Sequence, residues 1–136
     1  MCIKNNKGFT LVELLVVIAI IGLLSGMVVI SIQNVKAKAR DSQRVTDVNS
    51  IFTALSLYHN DFSAYPILDG YITGSDTLSI ALRNAGAIST APTDPLNTGN
   101  YRYYYQGNDG TDFYLEYYLE TNSISGKSQG MNYIVP

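Results

Sequence analysis

The sequence predicts an α+β fold: a long N-terminal helix, membrane-spanning in its first half, packs its second half on a small C-terminal antiparallel sheet. Three observations carry that reading. From Leu14 to Val35 no side chain ionises. Val45, Val48, Phe52, Leu55 and Phe62 then recur at helical spacing, with no proline before Pro66. After Tyr101, two alternating runs flank a glycine-containing loop, as a hairpin requires.

The uncharged span of 22 residues is about 33 Å of helix, which matches a hydrocarbon core of about 30 Å. Lys4 and Lys7 precede it and place the amino terminus in the cytoplasm, although Lys36, Lys38, Arg40 and Arg44 on the far side blunt the asymmetry. A secretory signal would have a shorter apolar core of about 7 to 15 residues followed by a small-residue cut site. Neither Ser25-Gly26-Met27 nor Ser31-Ile32-Gln33 supplies one. Lys36 to Arg44 is polar and rich in helix formers, so one helix runs from Phe9 to about His59, on the order of 75 Å. His59 occupies the heptad position between Leu55 and Phe62; without clustered cysteine or acid it reads as a helix-end or core histidine and not as a metal ligand.

Beyond Pro66, Ser75 or Asp76 caps a short helix that reaches Asn84 and stops at Gly86. Pro92-Thr93-Asp94-Pro95 and Asn97-Thr98-Gly99-Asn100 are turn chemistry. Tyr101 to Gln106 forms the first strand, and Phe113 to Glu120 the second. Phe113, Leu115, Tyr117 and Leu119 are expected to cover the helix, leaving Glu116 and Glu120 in water. Thr121 to Gly130 is a polar loop, and Met131 to Val135 adds a short third strand. Seven of the eleven tyrosines lie between Tyr101 and Tyr118. Exposed rings beside Arg102 suit stacking of bases or sugars, but packing within strands and interfaces is the preferred reading.

Glu13 is the one acid in the apolar segment, and its placement is expensive. A charge at the bilayer centre costs about 2.5 to 3.5 kcal/mol on insertion scales and marks function. Nothing basic lies between Glu13 and Lys36. A cut after Gly8 would create a positive α-amine on Phe9, and the same amine on a neighbouring copy pairs with Glu13. Lys7-Gly8-Phe9-Thr10-Leu11-Val12-Glu13 followed by about twenty apolar residues resembles the prepilin signature of type IV pilins and type II secretion pseudopilins. The stretch from Lys38-Ala39-Arg40-Asp41 to Tyr65-Pro66, and then Asp94-Pro95, Gly99 and Tyr101, is similar to the major pseudopilin.

That resemblance implies a pilin-like fold and a division into a leader (1–8), a transmembrane and assembly helix (9–35) and an exported head (36–136). It implies a prepilin peptidase that cuts between Gly8 and Phe9, N-methylation of Phe9, and polymerisation into a helical filament of copies of the chain, driven by an assembly platform from the inner membrane. Gly22 and Gly26 form a small-x-x-x-small pair that either lets helices approach in lipid or reflects the general frequency of glycine in membrane helices, and in both cases they soften the helix there. No proline stands later in this segment, unlike in many type IV pilins. The lone Cys2 falls in the leader, so the mature chain holds no disulfide. Loss of residues 1–8 removes Lys4 and Lys7 and takes the net charge from −2 to −4, which argues against nucleic acid as a partner.

Major pseudopilins bind calcium in an acidic C-terminal loop, but Thr121 to Pro136 contains no acid, so that loop does not carry over. Asp109 and Asp112 are the weak alternatives, and no metal or other cofactor is expected. No nucleophile, base and orienting acid come together in the sequence, so no enzyme is expected. The reading is a structural subunit of a type IV pilus or type II secretion pseudopilus. The alternative is a monomeric membrane-anchored surface module that binds DNA or glycan.

Overall fold

The computed structural model describes residues 8–136, with the backbone alone at residues 27–30. Cys2, Lys4, Lys7 and the rest of the leader lie outside the described residues. The chain divides into two compact units at the Lys36–Ala37 boundary. One helix, α1 (Leu11–Phe62), passes through that boundary, as the absence of proline requires. It ends at Ser63, whose φ of 56° turns the chain out of the helix while its N–H closes the last turn on the His59 carbonyl at 2.7 Å.

The second unit, called the head below, sets a four-stranded antiparallel sheet against the C-terminal half of α1. Its strands are β1 (Asp69–Tyr71), β2 (Tyr104–Gly107), β3 (Phe113–Leu119) and β4 (Gly130–Ile134), adjacent in chain order. The expected alternation in β3 holds: Phe113, Leu115, Tyr117 and Leu119 are all buried. They meet Val48, Ile51, Ala54 and Leu55 of α1, and Tyr103 and Tyr105 complete the same core. Burying one such large apolar side chain is worth about 1.5 to 3 kcal/mol, so this seam supplies most of the head's cohesion.

The short helix α2 (Thr77–Asn84) is capped by Asp76, whose carboxylate accepts from Ser79 N–H at 3.0 Å. Gly86 adopts φ +70° and the chain closes the helix with Ala87 N–H on Leu82 carbonyl and Gly86 N–H on Arg83 carbonyl. This left-handed C-terminal turn is the use of glycine that the sequence announces.

Four expectations need correction. Phe62 is exposed and stacks on Tyr58 with ring centroids 4.4 Å apart, while Ile51 and Ala54 of α1 fill the core instead. The first long strand begins at Tyr104, not Tyr101, since Tyr101 is held in a bridge with Thr98 and its ring lies under the Arg44 guanidinium at 4.8 Å. The sheet also has β1, which three residues with a central glycine did not signal. Finally, Glu120 is not in water: its side chain is only 14 % exposed and is bound by two arginines.

Gly107 is where two backbones come closest. A Cβ built there stands 2.3 Å from the Pro66 carbonyl oxygen and 2.6 Å from the Tyr105 hydroxyl, which itself donates to that carbonyl at 2.8 Å. Backbone cannot move aside as a side-chain end does. Gly107→Ala is therefore expected to cost the head about 1 to 3 kcal/mol, read as a lowered urea midpoint in tyrosine near-UV circular dichroism; an unchanged midpoint refutes the close approach.

Candidate processing and assembly site

The N-terminal unit presents its candidate residues in a row. Gly8 and Phe9 precede α1 and are exposed, Phe9 at 78 %. Thr10 is the N-cap, since its carbonyl accepts the first helical N–H, from Leu14, at 3.2 Å. Its hydroxyl accepts from Glu13 N–H at 3.2 Å, and in return Glu13 Oε2 accepts from Thr10 N–H at 2.9 Å and from the Thr10 hydroxyl at 2.7 Å. This reciprocal pair is a capping box. Both bonds reach the same oxygen, so among the described residues Oε1 of Glu13 has no donor.

A partner for Glu13 thus exists within its own chain, and the spacing Thr10-x-x-Glu13 was the signal that announced it. The carboxylate also lies in the first turn, where the positive end of the helix dipole favours an anion. Gly22 and Gly26 sit one turn apart in α1, and a Cβ at either meets no atom within 4 Å in the single chain. Ser25 between them donates back to the Ile21 carbonyl at 2.7 Å, a bond that tends to bend helices. From Leu11 onward the helix is long and apolar enough to cross a membrane.

In the head, the most heavily invested polar group was not singled out beforehand. Arg44, fully buried, donates Nε and Nη2 to the two oxygens of Asp94 at 2.6 and 3.2 Å, and Nη1 to Asp41 at 2.9 Å and Glu120 at 2.7 Å. Arg40 grips Glu120 with Nε at 2.6 Å and Nη2 at 2.5 Å. Two guanidinium groups thus face three carboxylates, and the remaining lone pairs are satisfied by the backbone. Asp41 accepts from Glu120 and Thr121 N–H groups, each at 2.8 Å, and Asp94 from Leu96 N–H at 2.8 Å. One turn on, buried Asp47 accepts from the Tyr103 hydroxyl at 2.8 Å.

Burial works against the charged Arg44, but its bonds to Asp94, Glu120 and Asp41 outweigh that and raise its pKa above the ordinary arginine value. The Arg40 hydrogen bonds in turn hold the Glu120 carboxyl below its usual range. Stepping back from Leu55, Ile51 and Val48 by four and three residues lands on Arg44 and Asp41. The apolar stripe simply turns ionic at its upper end.

Asp109 uses its carboxylate locally, accepting from Thr111 N–H at 3.0 Å and the Thr111 hydroxyl at 2.7 Å, and Asp112 is exposed. That is a loop-closing turn. Among the described residues, no three histidine, cysteine or acidic side chains gather as metal ligands. His59 stacks against Tyr65 with ring centroids 4.5 Å apart.

A helix of membrane-crossing length headed by Gly-Phe-Thr-x-x-Glu and finished by a four-stranded head defines a pilin-like structural subunit. The comparisons agree: residues 3–29 match the prokaryotic N-terminal methylation motif. The type II secretion system core protein G of Vibrio cholerae is 34 % identical over 113 residues, covering 79 % of this chain and 77 % of that protein. Its counterpart from Aeromonas hydrophila is 33 % identical over 101 residues, 68 % of each chain. The type IV major pilin protein of Myxococcus xanthus is 32 % identical over 61 residues, 45 % of this chain and 28 % of that one. No solved structure matches the chain. The chain belongs to the family of the type II secretion system core protein G.

The ion cluster makes two measurable statements. Arg44→Met leaves Asp41 and Asp94 buried without their cation and is expected to cost about 3 to 5 kcal/mol, whereas Arg40→Met, at a partly exposed pair, costs about 1 kcal/mol or less; urea unfolding of the two variants compares them. Because Glu120 titrates below the ordinary 4.5 when folded, its contribution is complete above that pH and is lost as the pH falls through the lower folded value. Glu120→Gln should unfold more easily at neutral pH yet lose less stability on acidification than the unaltered chain.

Proposed function

We propose that the chain is made as a precursor, with a leader at 1–8, a transmembrane and assembly helix at 9–35 and an exported head at 36–136. A prepilin peptidase cuts between Gly8 and Phe9, and Phe9 is N-methylated. The subunit waits in the inner membrane and is then drawn by an assembly platform into a filament of its own copies. Type II secretion relatives match over most of the chain, the type IV pilin over less than half of it, which favours a secretion pseudopilus.

The carrying observation is Glu13, a carboxylate in the first turn of an apolar helix with one oxygen held by Thr10 and the other without a donor among the described residues. In lipid, the capping box lessens the cost of the charge before assembly. In the filament, Oε1 accepts the Phe9 amine of an adjacent copy, an ion pair that sets the axial register of the subunits. Gly22 and Gly26, with no side chain to hold helices apart, let neighbouring spans approach.

Two variants test processing and assembly separately. Gly8→Leu blocks backbone access at the cut and should leave the full precursor mass; normal loss of residues 1–8 would overturn the assignment. Glu13→Ala should be cleaved and inserted normally yet enter filaments at least about tenfold less, the loss expected for one charge-assisted hydrogen bond of about 1.5 to 3 kcal/mol. Glu13→Asp retains part of the function. Equal incorporation of Glu13→Ala and wild type in the presence of the cognate machinery removes the carboxylate from assembly.

A further inference from the structure

The seven clustered tyrosines serve two different surfaces. Tyr103, Tyr105 and Tyr117 are buried in the core, as the packing interpretation expects. The register sets Tyr71 opposite Tyr104, Tyr104 opposite Glu116, and Tyr118 opposite Met131. By the pleat, these side chains point away from the face that carries Leu115 and Tyr117. The turn at Gly99 and Asn100 borders the same face, and together they enclose a groove of about 300 Å³.

Its chemistry is mixed in a particular way. The Arg102 guanidinium lies 5.4 Å over the Tyr71 ring and is exposed. Tyr71 and Tyr104 meet edge to face, with ring centroids 5.2 Å apart, and Glu116 stands half-buried between them and Tyr118. Among the described residues neither Arg102 nor Glu116 belongs to an ion pair. A concave site thus holds a free cation, a free anion, an amide and aromatic faces within one ligand's reach.

We propose that this groove binds a neutral carbohydrate of one or two rings. A sugar ring has an apolar C–H face, which packs on tyrosine, and a rim of hydroxyls that donate to Glu116 and accept from Arg102 and Asn100. A polyanion is disfavoured, since Glu116 lines the groove and the chain is net negative. An aliphatic ligand would strip water from both charges without replacing it. The volume lies at the lower end of small-molecule clefts, about 300 to 1,000 Å³. All lining residues belong to the head, so this site does not depend on the role of Glu13.

The test uses the full chain in a detergent without a sugar headgroup, dimethyldodecylamine oxide, titrated with maltose, lactose and diacetylchitobiose. The chain has no tryptophan, so tyrosine fluorescence, to which Tyr71, Tyr104 and Tyr118 of the groove contribute, is the readout, and the groove variants assign any change to this site. At least one disaccharide should give a saturable change with a Kd of about 1 mM. Arg102→Gln and Glu116→Gln should each weaken it about tenfold, while Tyr114→Ala, on the same face outside the groove, leaves it unchanged. Arg102 is exposed, so its variant keeps the fold, which far-UV circular dichroism verifies. Glu13→Ala should bind as wild type does, whatever its assembly. The proposal is overturned if no disaccharide saturates below about 50 mM, or if both groove variants bind unchanged.

Discussion

The head depends on one buried cation. Arg44 joins α1 to the turn at Asp94 and to the end of β3 at Glu120, elements 50 and 76 residues away in the chain. Taking a guanidinium out of water costs several kcal/mol unless every donor finds an acceptor in good geometry. Here the fork meets Asp94 with two parallel bonds, the arrangement that arginine offers and lysine does not. The net strength of such a cluster is modest, but its geometry is exacting. The apolar seam is non-directional, whereas the ion cluster specifies both distances and directions between helix and sheet.

Much of this architecture was legible because it rests on periodicity. The alternation of Phe113, Leu115, Tyr117 and Leu119 fixed the inner face of β3, and Asp76 and Gly86 marked the ends of α2. The start of β2 was not legible, because Tyr101 alternates with Tyr103 as a strand residue would, yet its backbone is bridged to Thr98 and its ring lies under Arg44. Arg44 escaped for a related reason. Charged residues at the upper end of an amphipathic helix read as solvated, and nothing local distinguishes a guanidinium facing water from one facing Asp94 and Glu120, which lie far along the chain.

At the N-terminus the position is reversed: a local pattern was there, and a long-range partner drew attention first. The unpaired acid in an apolar run suggested a neighbour's amine, whereas Thr10 three residues earlier already holds one of its oxygens. The two partners are compatible because they use different oxygens. One carboxylate thereby caps the helix in the single chain and, in the proposed assembly, takes an amine from a neighbouring copy.

The sequence separation of the Arg44 cluster also bears on when the head can fold. Asp41 is bonded to Thr121, 80 residues later, and a loop of that size closes slowly, because its entropy is lost before any contact repays it. Until β3 arrives, Arg40, Asp41 and Arg44 stand hydrated on a bare helix whose apolar stripe has no cover. Under the proposed export, the head would present an unfinished helix for the whole time that residues 45 to 121 follow it across the membrane.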